Sequence, residues 1–209
     1  MRDLLLTFPF APNQDAEPGQ QYPIAERLQR MSEDEFFAFC QANPESKLER
    51  RADGTIDYMA STGGDTGRCN SELLAGLTIW NRQARQGLVF DSSTGFRLPS
   101  GAVRSPDAAW VSTAAWTALS DEQRQKFPPL CPEFVVELMS ARGSLGEMTP
   151  KMQEYLDNGC RLAWLLDPKA QTARVFRLDG SVSVVKSFAE TLSGEDVLPG
   201  FSFALSALR

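Results

Sequence analysis

The sequence predicts an α/β fold with a parallel or mixed central sheet, and three observations carry that reading. Phe134–Met139 and Leu162–Leu166 are near-continuous apolar runs of strand length, as strands covered on both faces require. Between them, Met152, Tyr155 and Leu156 fall on one helical stripe, which makes strand–helix–strand from 134 to 166 a crossover unit. Short apolar runs meeting at Asp53-Gly54 and at Asp179-Gly180 read as antiparallel hairpins.

The elements follow in order. Residues 1–30 are patternless and rich in Pro, Gln and Asp, and read as an extended arm; 31–209 read as one domain. Ser32-Glu33-Asp34-Glu35 is a capping box with Met31 placed to staple Phe36, so a short helix runs to Ala42. Leu48–Arg51 and Thr55–Met59 form the first hairpin, and the Gly-rich stretch 61–67 reads as a loop. A helix is expected over 70–85, with Asn70 as its N-cap, Leu73, Leu74, Leu77 and Trp80 on one stripe, and Gly87 beyond its end. Strands fit 88–91, 95–98 and 103–111, the last limited by Pro106. Ser120–Gln123 is a second capping box. After the strand at 134–139 a polar loop covers 141–148. The next helix is expected over 150–158, capped by Thr149, with Pro150 at its first position and Gly159 at its exit. Strands at 173–178 and 182–185 follow the one at 162–166.

Composition excludes much chemistry. The 209 residues contain no histidine, which removes Ser-His-Asp and Cys-His catalysis, zincins and His-based nucleases. General-base work falls to Asp, Glu, Lys or water on a metal. Cys40, Cys69, Cys131 and Cys160 are unclustered, so free thiols are expected in place of a zinc site or disulfide framework. No apolar run is long enough to span a bilayer, and Leu4–Phe8 lacks the marks of a signal peptide, so the expected compartment is the cytoplasm. The net charge of −6 argues against tight non-specific DNA binding, though not against a local groove or a metal-mediated phosphate contact.

Against that background two strand carboxylates stand out. Asp107 follows Pro106, and Glu137 sits among Val135, Val136, Leu138 and Met139. Burying a carboxylate is unfavourable unless something positive meets it. Two in one sheet suit a divalent cation such as Mg²⁺ or Mn²⁺, and a nearby lysine suits a phosphate. A partner lysine two residues after Glu137 would share its strand face, but that position is Met139. Lys151, expected in the first turn of the following helix, is the substitute; there it would oppose the helix dipole, so a reason for it is wanted. Tyr155, one turn on, is a weaker candidate for a substrate contact.

An ordered set of segments resembles the Uma family of restriction-endonuclease-like proteins in the PD-(D/E)xK nuclease superfamily. The segments are Leu48-Glu49…Gly54, Ser92–Pro99, Arg104-Ser105-Pro106-Asp107, Phe127–Pro132, Val135–Leu138, Lys151–Gly159, Trp164–Pro168 and the closing Leu192–Phe201, spread over about residues 30 to 204. The resemblance implies a restriction-endonuclease-like mixed central sheet flanked by helices. It implies Asp107 and Glu137 as metal ligands, Lys151 as a migrated active-site lysine and Glu49 as an accessory carboxylate. The expected activity is metal-dependent DNA phosphodiester hydrolysis, with the backbone carbonyl of Leu138 aiding the cation site. A homodimer is expected as well, because cutting duplex DNA commonly needs two sites and the apolar Leu4–Phe10 stretch could pack on a partner. The competing class is a nuclease fold without turnover that serves as a binding module, favoured by the acidic balance and by Met139.

Overall fold

The structure is a computed structural model that describes Thr7, Pro9 and residues 28–59, 61–140 and 143–209. The expected arm over 1–30 and the Leu4–Phe10 partner contact lie almost wholly outside the described residues.

Helix α1 (Glu33–Ala42) begins at the Ser32/Glu35 capping box, with both reciprocal hydrogen bonds made. Met31 and Phe36 are buried in one cluster with Phe39, Leu48 and Val103. Strands β1 (Lys47–Arg50) and β2 (Ile56–Met59) pair antiparallel with Leu48 opposite Tyr58. Alternation along β1 turns Leu48 and Arg50 toward α1, where the Arg50 guanidinium lies over the Phe36 ring, and sends Glu49 to the opposite face.

Helix α2 spans Gly64–Ala84, so most of the stretch read as a Gly-rich loop is helical. Gly63 is its N-cap without a side-chain cap bond; Asp65 in the first turn complements the dipole, and burial of Cys69, Leu73 and Leu77 supplies what glycine propensity lacks. Asn70 is therefore inside the helix. The helix stops at Arg85, in left-handed conformation with φ 53°, two residues before Gly87.

Strands β3 (Gly87–Asp91), β4 (Phe96–Arg97), β5 (Val103–Arg104) and β6 (Ala108–Ser112) follow. The single strand expected over 103–111 is divided at Ser105-Pro106-Asp107, because proline has no N–H to carry a ladder onward. The break matters: β5 joins a four-stranded sheet of order β2-β1-β5-β4, while β6 enters the main sheet. Asp107 sits at that crossing.

Short helices α3 (Thr113–Thr117) and α4 (Asp121–Gln125) precede β7 (Phe134–Leu138); α4 carries the expected Ser120/Gln123 capping box. Helix α5 (Leu145–Asp157) starts five residues before the expected Pro150. Its cap is Ser144, in a full capping box with Glu147, and Pro150 lies inside the helix. Gly159, at φ 100°, closes it: the Gly159 N–H meets the Leu156 carbonyl and the Cys160 N–H reaches back to Tyr155. Strands β8 (Leu162–Asp167), β9 (Thr172–Arg177), β10 (Val182–Val185), β11 (Thr191–Ser193) and β12 (Ser202–Ala204) complete the chain.

The main sheet has six strands in the order β10-β9-β8-β7-β6-β3. Only β7 and β8 run parallel, joined by α5 as the crossover; the sheet is mixed. One face buries Phe134, Val136, Leu138 and Trp164 against α2 and the closing segment of Phe201 and Phe203. The other buries Val135, Ala163 and Leu165 against Met152, Tyr155 and Leu156 of α5. Glu137, in phase with Val135 and Met139, belongs to the α5 face.

The first core turns on aromatics. Phe134 meets Trp164 edge-on at 4.9 Å, and Trp164 stacks on Phe201 at 5.7 Å. Phe134 is fully buried, so Phe134→Ala should cost about 3–5 kcal/mol of stability, read as a lowered urea midpoint at unchanged m-value.

Candidate active site

Four elements from both sheets converge where the chain crosses between them. β7 supplies Glu137, β1 supplies Glu49, α5 supplies Lys151 and Tyr155, and the bend before β6 supplies Asp107. Register explains the first pairing: Ala108 stands opposite Val136, so Asp107, one residue earlier, comes level with Glu137.

Lys151 is the hub. Its Nζ lies 2.8 Å from Glu137 Oε1 and 3.0 Å from Glu49 Oε1. Its side chain is 12% exposed, so it is an interior residue of α5 and not the first-turn surface lysine expected. The cause is the earlier helix start: with Ser144 as cap, Lys151 falls in the second turn, one residue from buried Met152. The dipole argument for a special role therefore lapses; burial between two carboxylates replaces it.

Each carboxylate has its own partners. Tyr155 donates its hydroxyl to Glu137 Oε1 at 2.8 Å, and among the described residues nothing donates to Glu137 Oε2. Glu49 is more fully engaged: its Oε1 also accepts the Ser105 N–H at 2.9 Å, and its Oε2 accepts from Arg104 Nη1 at 3.2 Å. Arg104 in turn binds Glu154 at 2.6 Å and Asp57 at 3.4 Å, and Arg51 binds Asp57 at 2.8 Å. Asp107 Oδ2 accepts the Leu138 N–H at 2.8 Å, and its Oδ1 accepts from Asn70 Nδ2 at 3.4 Å.

These surroundings separate the two glutamates. Burial pushes both carboxyls up. For Glu49 the Lys151 ammonium, the Ser105 N–H and Arg104 together outweigh it, and the group is held below the usual range. For Glu137 burial wins: Lys151 opposes it, Asp107 and Glu49 reinforce it, and the carboxyl rises to about 7. Burial also works against the Lys151 charge, but Glu137 and Glu49 more than offset it, so the ammonium keeps its proton more firmly than an ordinary lysine.

Among the described residues, five carboxylates (Glu49, Asp57, Asp107, Glu137 and Glu154) gather around three cations (Arg51, Arg104 and Lys151), two more formal negative charges than positive ones, and Asp107 pairs with none of the three. Among the described residues no group of three or more His, Cys, Asp and Glu is arranged to cage a metal. Two adjacent carboxylates with a local charge deficit fit a hard divalent cation of the kind that keeps several waters and needs only one or two carboxylates.

Asp107, Glu137, Lys151 and Glu49 are brought together here, and Tyr155, the fifth residue singled out from sequence, joins them with its hydroxyl on Glu137. Met139 shares the Glu137 face, buried and apolar. The sequence gives Arg104 no role beyond its place in the Arg104–Asp107 segment, and reads Asn70 as a helix cap. A signal for Arg104 existed: an arginine in an apolar strand needs carboxylates to meet it. Nothing in the sequence pattern points Asn70 at Asp107, since the contact spans 37 positions.

A family model described as "Uma2: Putative restriction endonuclease" matches residues 33–206, which includes every residue of this site. The chain belongs to the Uma2 family. Its fold is similar to that of a crystal structure from Anabaena variabilis titled "a putative nuclease belonging to DUF820", with a TM-score of 0.66 and 18% identity over 78% of this chain and 90% of that one. No curated protein matches the chain significantly. Among the described residues no helix is long and apolar enough to cross a membrane.

Two outcomes follow from the Uma2 site. Removing the Lys151 charge leaves Glu49 and Glu137 facing each other, so Lys151→Ala should destabilise the protein by about 3–5 kcal/mol in urea denaturation. Glu137 holds its proton more tightly folded than unfolded, so its contribution is present below about pH 4.5 and is lost as pH rises through about 7. Thermal melts in EDTA should therefore show wild type losing ground to Glu137→Gln between pH 5 and pH 8; parallel profiles would refute the assignment.

Proposed function

We propose that this Uma2 protein is a divalent-cation-dependent DNA endonuclease that hydrolyses phosphodiester bonds. The observation that carries the proposal is the buried Lys151 ammonium held between Glu137 and Glu49, beside Asp107 at the bend that leads into the adjoining strand.

Asp107 and Glu137 would hold the cation, Mg²⁺ or Mn²⁺, with the Leu138 carbonyl as a further oxygen at the same strand end. When bound, such a cation neutralises phosphate charge and acidifies an attacking water. The remaining work belongs to the chain. Lys151 keeps its proton, so it acts as a fixed positive charge for the phosphate oxygens and an orienting donor for water, and not as a general base. Glu49 is anchored by Ser105 and Arg104 and serves to keep Lys151 charged and aimed. Tyr155 holds the Glu137 oxygen nearest the lysine, which leaves Oε2 for the cation.

A second reading has its own support. The Lys151 ammonium is already engaged by two carboxylates, and the chain carries a net charge of −6. Both features suit a nuclease fold that binds a partner without turnover.

The test is incubation of supercoiled plasmid with Mn²⁺ and wild type, Asp107→Ala or Lys151→Met, each checked for folding by circular dichroism. Wild type should nick the plasmid, Asp107→Ala should not, and folded Lys151→Met should be slower by about 10²–10³-fold. Equal nicking by Lys151→Met would remove the role given to the lysine. A wild type inert on every DNA form would favour the binding-module reading.

A further inference from the structure

Asn70 departs from the pattern of its helix. Its neighbours Cys69, Leu73 and Leu77 pack into the first core, yet Asn70 reaches the end of the sheet with its Nδ2 3.4 Å from Asp107 Oδ1. Its own Oδ1 is closed off from solvent and has no hydrogen-bond partner among the described residues. A buried amide oxygen left without a donor is unfavourable, and such orphans are rare. The obvious relief, turning the amide over, is blocked: it would set Oδ1 against Asp107 Oδ1, acceptor against acceptor. The amide is therefore oriented for the benefit of the aspartate.

What Asp107 gains is a fixed plane. The Leu138 N–H holds Oδ2 at 2.8 Å from the sheet side, and Asn70 holds Oδ1 from the helix side. With one donor on each oxygen, turning the carboxylate about its last bond breaks both hydrogen bonds, and each oxygen retains a lone pair. A ligand carboxylate restrained in this way binds a cation more tightly than a free-turning one, since its orientation is settled before the cation arrives.

We propose that Asn70 is a positioning residue of the Uma2 site, fixing the Asp107 carboxylate in the orientation that a divalent cation requires. The proposal rests on the metal-site reading above. It assigns α2, which the active-site residues themselves do not use, a direct part in the site.

The test separates position from structure. Asn70→Leu replaces the amide with methyl groups of similar size, removing both the donor and the orphaned oxygen. A residue with only a structural role would leave Mn²⁺ binding unchanged in this variant. A positioning residue lowers it. Titration calorimetry with Mn²⁺ alone, on the 209-residue wild type, Asn70→Leu, Asn70→Ala and Asp107→Ala, should show no binding by Asp107→Ala. It should show affinity about 10- to 100-fold weaker for the two Asn70 variants. The metal-free melting temperature of Asn70→Leu should be equal to or above wild type, because its substitution relieves an unpaired buried acceptor. Asn70→Ala covers the case in which leucine does not fit. Wild-type affinity in both Asn70 variants, with binding lost in Asp107→Ala, would overturn the proposal and leave the metal site standing. Weaker affinity found only with loss of the folded circular-dichroism signal would also overturn it. A wild type that binds no Mn²⁺ would overturn the metal site and the proposal together.

Discussion

One buried ammonium ties this structure together. Lys151 comes from α5, Glu137 from the six-stranded sheet and Glu49 from the four-stranded sheet, so a single nitrogen joins the three layers. Ion pairs in such positions are poor devices for stability. Desolvating the charges offsets most of the attraction, and a well-packed apolar trio of similar volume does as well or better. Once the charges are there, however, none can be removed alone. The tie explains why a lysine buried on α5 keeps its charge, and why Arg104 and Ser105 crowd around Glu49 on the far side.

The fold was largely readable from the sequence, and the departures have physical causes. The crossover from 134 to 166, both hairpins and two capping boxes followed from pattern alone, because periodicity and caps are local signals. The misplaced helix starts were local too, but the weaker signal won. Ser144-x-x-Glu147 is as good a capping box as Ser32-x-x-Glu35, yet Pro150 competes with it as a start signal, since proline suits a first turn better than an interior. Gly63, Gly64 and Gly67 suggested a loop because glycine disfavours helices; tertiary burial of Cys69, Leu73 and Leu77 overrode that propensity. The break at Pro106 was visible as a constraint on pairing, but not as a change of sheet.

The site was legible in part. Glu137 and Asp107 declared themselves as carboxylates in strand segments, and Lys151 followed as the residue able to answer them. Glu49 came only through resemblance to a family, since a glutamate on a hairpin strand is unremarked by itself. Its burial depends on β5 arriving alongside β1, a pairing of Arg50 with Val103 across 53 positions that no periodicity reveals. The carboxylate–arginine network behind it is likewise a product of topology. Asn70 was hidden for the same reason: helix spacing places it near the core face, and only the sheet crossing brings Asp107 to it.

The two glutamates on Lys151 show how one cation can support two different carboxylates. Both are buried, and both touch the same nitrogen. Glu49 receives a second cation and a backbone N–H, so its charge is satisfied within the protein. Among the described residues Glu137 receives only the shared lysine and a phenol, and Asp107 comes level with it across the sheet. The charge deficit of the whole cluster is therefore concentrated on Glu137 and Asp107. A chain without histidine has few ways to build a site that wants a cation yet keeps a lysine protonated beside it. Dividing the labour so that Glu49 secures the lysine, while Glu137 stays short of positive charge, accomplishes both. Under the proposed function it also accounts for Met139 on the strand. The ammonium is delivered from α5, and its position is set by Glu49, a residue the strand-borne arrangement would not need.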